Sequence, residues 1–147
     1  MSNVVEVRSK GFLTQEVHAG RHTFSADEPK EDGGADSGPN PYELLLAALG
    51  ACTSMTVQLY AKRKNWPLEQ VRVDLSQERL HGEDCAGCDE RNVRMDRIRK
   101  RLWLRGPLDE TQRQRLLEIA ERCPVNRTLT GELQMDLELA PSDAPWP

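Results

Sequence analysis

The residues of this 147-residue chain best suited to chemistry are its four cysteines, two of them isolated and two in a close pair. Cys52, followed by Thr53 and Ser54, lies inside a long apolar run, and Cys123 stands directly before Pro124. A thiolate is a nucleophile, a metal ligand and a redox partner, so two cysteines far apart in sequence become a reactive pair only if the fold joins them. Each also has a plainer reading as a small apolar residue filling space in a core.

Cys85-Ala86-Gly87-Cys88 sits in a polar stretch and is open to three readings. It is a solvent-exposed dithiol that closes to a disulfide and relays electrons. It is half of a zinc site, completed by His81, Asp84 or Asp89 or by the same loop of a second subunit. Or it is a polar loop that happens to carry two thiols.

The elements that must position these cysteines follow from the pattern of apolar residues. Val5 and Val7 alternate with charged neighbours, Gly11 turns the chain, and Phe12 to His18 and Arg21 to Ser25 continue as short strands around Gly20. Asp27 to Gly38 is polar and Gly/Pro-rich, which suggests a mobile surface loop. Asn40-Pro41-Tyr42-Glu43 is a helix start, with Asn40 as cap, Pro41 at the first helical position and Glu43 as partner in a capping box. The helix is expected from Pro41 to about Lys64, and its first five turns are apolar on nearly every face, so it should be buried on all sides. That apolar run reads as too short for a membrane span, and Lys62, Arg63 and Lys64 suit the negative end of the helix.

Val71 to Leu80 alternates as a half-buried strand, His81 to Val93 is a polar excursion, and Ile98, Lys100, Leu102 and Leu104 alternate with arginines as another strand ended by Gly106-Pro107. Asp109 with Gln112 starts a second helix that carries Leu116, Leu117, Ala120 and Cys123 up to Pro124. Leu133, Met135, Leu137 and Leu139 then alternate as a last strand. Strands, helix, two long strands, helix and strand suit an α+β fold, antiparallel sheet with segregated buried helices. A single domain is expected over residues 1–140, with a flexible Pro-rich tail over residues 141–147. One sheet of this size gives too little cover for a helix apolar all round, which argues for a homodimer.

Twenty Lys and Arg against 24 Asp and Glu give no overall field to recruit nucleic acid or an anionic membrane. The arginines between Arg91 and Arg105 read as the solvated face of a strand, with only Trp103 as an interleaved aromatic. Residues 1–10 carry no basic segment followed by an apolar run, so a cytoplasmic location and reduced thiols are expected. No motif calls for a cofactor.

Two longer motifs narrow the reading. Gly38-Pro39-Asn40-Pro41-Tyr42-Glu43-Leu44-Leu45-Leu46-Ala47-Ala48-Leu49-Gly50-Ala51-Cys52-Thr53 and Arg122-Cys123-Pro124-Val125-Asn126-Arg127-Thr128-Leu129 resemble, in order, the two cysteine signatures of the OsmC/Ohr family of osmotically induced and organic-hydroperoxide-resistance proteins. The likeness runs from about Arg21 to Leu139. It implies an intertwined homodimer with long helices packed between sheets, active sites at the subunit interface and thiol peroxidase chemistry. In that resemblance Cys52 matches the peroxidatic cysteine, Cys123 the resolving one and Arg21 the catalytic arginine that favours the thiolate. The substrate implied is a small organic hydroperoxide, and an external dithiol returns the disulfide to thiols.

The sequence departs from the family pattern at Tyr42, where the peroxidases carry the glutamate that orients the arginine. Glu43 is the candidate carboxylate one residue further on, about 100° around the helix. A second reading therefore stands beside the peroxidase: an OsmC-like protein without enzymatic activity that binds a small apolar ligand or a partner.

Overall fold

The computed structural model describes residues 3–80 and 95–145. It is an α+β arrangement with, among the described residues, two antiparallel sheets and three α-helices. The first sheet is a meander of β1 (Val5–Ser9), β2 (Gln15–Ala19) and β3 (His22–Ala26). Gly20 and Arg21 form the two-residue turn between β2 and β3, closed by the pairing of Ala19 with His22. Such a turn needs a residue at positive φ, and Gly20 supplies it at 62°.

The segment from Asp27 to Gly38, expected to be a mobile loop, is instead folded around a buried carboxylate. Asp27 is 2% exposed and accepts hydrogen bonds from Ser37 Oγ at 2.7 Å, Thr14 Oγ1 at 2.9 Å, and the N–H groups of Glu28 at 2.8 Å, Ala35 at 3.3 Å and Ser37 at 3.4 Å. Apolar anchors are absent from this stretch, but a charge with five donors does the same work. Those donors, Ser37 first, hold the Asp27 carboxyl well below the usual carboxylate range against the opposing effect of burial.

Helix α1 (Pro41–Arg63) begins where the sequence indicates. Asn40 Oδ1 accepts from the Glu43 N–H and Glu43 Oε2 accepts from the Asn40 N–H, both at 2.8 Å. The expectation that α1 is buried on all sides does not hold. Leu49, Gly50, Thr53, Val57 and Ala61 form one buried stripe, whereas Met55 and Leu59 on another face are 61% and 62% exposed. Within one chain, packing partners lie on only one side of the helix, so apolar character alone does not bury the rest. The expectation that the run is too short to span a bilayer is also corrected, since at 23 residues α1 is long and apolar enough by length and composition.

The buried stripe lies on a long ribbon of β4 (Gln70–Leu80) and β5 (Met95–Arg105), paired from Gln70↔Arg105 to Leu80↔Met95. Gly50 allows the closest approach, since a Cβ there would lie 2.6 Å from Leu75 Cδ1 on β4. Helix α2 (Glu110–Ala120), capped by Asp109 and Gln112, completes the core: Val57 and Ala61 of α1 pack with Leu116 and Ala120, and Val71, Leu102 and Leu104 close the cluster from the ribbon.

Two further differences concern the C-terminal third. The chain does not simply turn at Pro124 but forms a third helix, α3 (Pro124–Thr130), with Cys123 as its N-cap and Pro124 at its first position. Leu133 to Leu139 does not form the expected strand; it runs without a pairing partner, and Met135, Leu137 and Leu139 are exposed. Alternation shows which residues suit a pleated surface, but a strand also needs an open edge to pair with, and this segment meets none among the described residues.

Candidate thiol site

Both described cysteines are free thiols, Cys52 half-buried and Cys123 fully buried. Helical geometry explains the difference for Cys52. Position 52 is rotated about 100° from Thr53 on the buried stripe, so it lies at the border between the core and the open face of α1. On that open side Met55 and Leu59 follow at i+3 and i+7, and both line a groove of 850 Å³ with Gln58, Lys62, Trp66 and Leu68. Leu49, by contrast, is 2% exposed and belongs to the core side.

Cys123 is held from two directions. As N-cap of α3, its sulfur accepts the N–H of Asn126 at 3.3 Å. Thr53 Oγ1 lies 3.5 Å from the same sulfur and donates its own hydrogen to the Leu49 carbonyl at 2.8 Å. With that hydrogen committed, the thiol S–H donates to Thr53 Oγ1. Cys123 is thus fastened to the residue that follows Cys52, in the same turn of α1. Chemically, this is a buried thiol with a donor and an acceptor in place, fastened to the turn of α1 that carries a half-buried thiol at the border of the face bearing Met55 and Leu59.

The other candidates are placed as follows. Arg21 is exposed at the tip of the β2–β3 hairpin, and Tyr42 is half exposed in the first turn of α1. One carboxylate oxygen of Glu43 is engaged by the helix cap. Cys85, Cys88 and His81, and with them the dithiol and zinc readings, lie outside the described residues. Among the described residues no group of three His, Cys, Asp or Glu side chains is arranged to hold a metal. Thr53 and Asn126 were not marked by sequence reasoning. Their only signal is position, one residue after Cys52 and three after Cys123.

The structure supplies two free cysteines on a helix-and-ribbon α+β scaffold, and the family follows from comparison. Residues 33–138 match the family described as OsmC-like protein, and the chain belongs to that family. No curated protein matches the chain. Among solved structures, the fold is similar to that of an OsmC-like protein from Mycoplasma pneumoniae, with a TM-score of 0.72 and 19% identity over 89% of each chain. It is also similar to an organic hydroperoxide resistance protein OsmC from Legionella pneumophila, with a TM-score of 0.64 and 19% identity over 89% of this chain and 90% of that one. An organic hydroperoxide resistance protein from Elizabethkingia anophelis has the same TM-score of 0.64 and 19% identity over 89% of each chain.

Proposed function

We propose that this protein is a thiol-dependent reductase of small organic hydroperoxides, acting in the cytoplasm as a homodimer. The observation that carries the reading is the contact between Thr53 Oγ1 and Cys123 Sγ, which fastens the second thiol to the turn of α1 that bears the first. The exposed apolar side chains of Met55 and Leu59, three and seven residues after Cys52 on the same side of α1, support an apolar substrate over hydrogen peroxide.

In this mechanism the Cys52 thiolate attacks the peroxide O–O bond and takes the distal oxygen as a sulfenic acid, while the other oxygen leaves, gains a proton and departs as an alcohol. The Cys123 sulfur then attacks the sulfenic sulfur; an S–S bond forms, the S–O bond breaks, and hydroxide leaves with the thiol proton as water. An external dithiol reduces the disulfide by exchange and is itself oxidised. Arg21 supplies the positive charge that favours the Cys52 thiolate, with the second carboxylate oxygen of Glu43 available to orient it. The exposed face of α1 and the unpaired Leu133–Leu139 segment support a second copy of the chain as the cover that closes the site.

The test is anaerobic stopped-flow mixing of the reduced protein with tert-butyl hydroperoxide, with mass spectrometry of the products. Consumption that is lost in Cys52→Ser, with a Cys52–Cys123 disulfide in the wild type, is the expected result. Consumption that is slow and insensitive to Cys52→Ser would overturn it. The half-used Glu43 carboxylate and Tyr42 beside it would then favour the second reading, a ligand-binding protein, tested by calorimetry with apolar carboxylates.

A further inference from the structure

Lys100 interrupts the apolar run of Ile98, Leu102 and Leu104 on β5. It follows their side of the strand, it pairs across the ribbon with Leu75, and its side chain is only 14% exposed. An ammonium so far removed from water needs partners, and both of its partners belong to the junction of α2 and α3. Nζ donates to Asn126 Oδ1 at 3.0 Å and lies 3.5 Å from Glu121 Oε1. Asn126 is held at its other groups too: Nδ2 donates to the Glu121 carbonyl at 2.9 Å, and its backbone N–H donates to Cys123 Sγ at 3.3 Å.

This chain of contacts has a structural purpose that α3 itself cannot supply. Helix α3 lies against α1 with its N-cap Cys123 buried, but none of its own residues is fully buried, so packing alone holds its first turn only weakly. The tie from β5 through Lys100 and Asn126, and the contact between Thr53 and Cys123, add polar anchors to the capping turn.

We propose that Lys100 is a positioning residue for Cys123: acting through Asn126, it fixes the turn that holds the Cys123 sulfur beside α1 and so sets the rate at which Cys123 condenses with oxidised Cys52. The inference rests on the peroxide reading above. The step it governs is the second one, in which the S–S bond forms, the S–O bond of the Cys52 sulfenic acid breaks, and hydroxide departs with the thiol proton as water. A displacement of about 1 Å in a reacting group costs on the order of 100-fold in rate, so a loosened capping turn should be visible in this step and not in the first.

The experiment compares Lys100→Met, Lys100→Arg and Asn126→Ala, each first shown to melt cooperatively. In quench-flow with tert-butyl hydroperoxide, Cys52 sulfenic acid is trapped with a β-diketone and the disulfide is counted by mass spectrometry. The expected result is an unchanged first step, with disulfide formation at least about 10-fold slower in Lys100→Met and Asn126→Ala and restored in Lys100→Arg. Disulfide formation at the wild-type rate in Lys100→Met, or equal slowing of both steps, would overturn the proposal.

A second readout does not depend on peroxide chemistry. In a Cys52→Ser background, the rate at which Cys123 reacts with 4,4′-dithiodipyridine is followed, with the modified residue located by mass. A rate changed by Lys100→Met and restored by Lys100→Arg supports the positioning role even where the wild type reduces no peroxide. An unchanged rate overturns it.

Discussion

Replacing Thr53 by valine isolates one hydroxyl at the centre of the thiol site. Thr53 is 1% exposed, and valine has almost its shape, so the substitution leaves no cavity. The Leu49 carbonyl that loses the hydroxyl still takes the main-chain N–H of Thr53 in the helix ladder, so no acceptor is orphaned. What is lost in the resting protein is a neutral hydrogen bond from the Cys123 thiol, about 0.5–1.5 kcal/mol, offset in part by the buried methyl. The loss in the reaction is larger. As charge develops on the Cys123 sulfur, the Thr53 hydroxyl can turn from Leu49 and donate to it, and a hydrogen bond to a charged group is worth about 1.5–3 kcal/mol. Because the resting state loses its own bond as well, the barrier rises by the difference, about 1–1.5 kcal/mol, and condensation with the Cys52 sulfenic acid should slow roughly 5- to 13-fold in Thr53→Val. Thr53→Ser, which keeps the hydroxyl, should react like the wild type. Thermal melting and quench-flow with mass spectrometry measure the two effects, with a Tm within about 4 °C of the wild type expected. Condensation within about threefold of the wild type would show that the hydroxyl does not serve the sulfur.

Three other outcomes follow from the packing. The Asp27 carboxyl is depressed in the folded state, so its contribution to stability is complete above the unfolded value of about 3.9 and drains away as pH falls below it. Asp27→Asn should thus be less stable than the wild type at neutral pH, with the gap closing in acid; denaturant titrations that show a constant gap would contradict this. Leu116→Ala, at a fully buried position against Val57 and Ala61, should cost about 2–5 kcal/mol in chemical denaturation, and a cost below about 1 kcal/mol would mean the core is misassigned. If a second copy covers the Leu133–Leu139 segment, Leu137→Asp with Leu139→Asp should shift sedimentation from dimer to monomer, whereas an unchanged dimer would place the contact elsewhere.

Much of the fold was legible because its signals are local. The capping boxes Asn40/Glu43 and Asp109/Gln112 start α1 and α2, since a side chain and a main-chain N–H three residues apart meet whatever the rest of the chain does. Alternation along Val71–Leu80 and Ile98–Leu104 likewise marked the long ribbon, because period two places one face on a core. The apolar α1 was legible as a helix, but the side it would present was not. Burial depends on what lies opposite, and one chain buries only the stripe of Leu49, Gly50, Thr53, Val57 and Ala61. The alternating Leu133–Leu139 segment failed as a strand for the same reason.

The sequence by itself determined the helix starts, the ribbon, the presence of two isolated cysteines and, through their flanking motifs, the family resemblance that residues 33–138 bear out. Only the tertiary structure decided that Thr53 meets the Cys123 sulfur, that Cys123 caps a short helix and that Lys100 reaches Asn126 from the apolar side of a strand. The loop around Asp27 belongs with these, since a carboxylate collecting donors from Thr14, Ala35 and Ser37 leaves no periodic trace. Periodicity reports the direction a side chain takes from its own element. Contacts between α1, β5 and the α2–α3 junction depend on how the elements pack, and no local spacing encodes that.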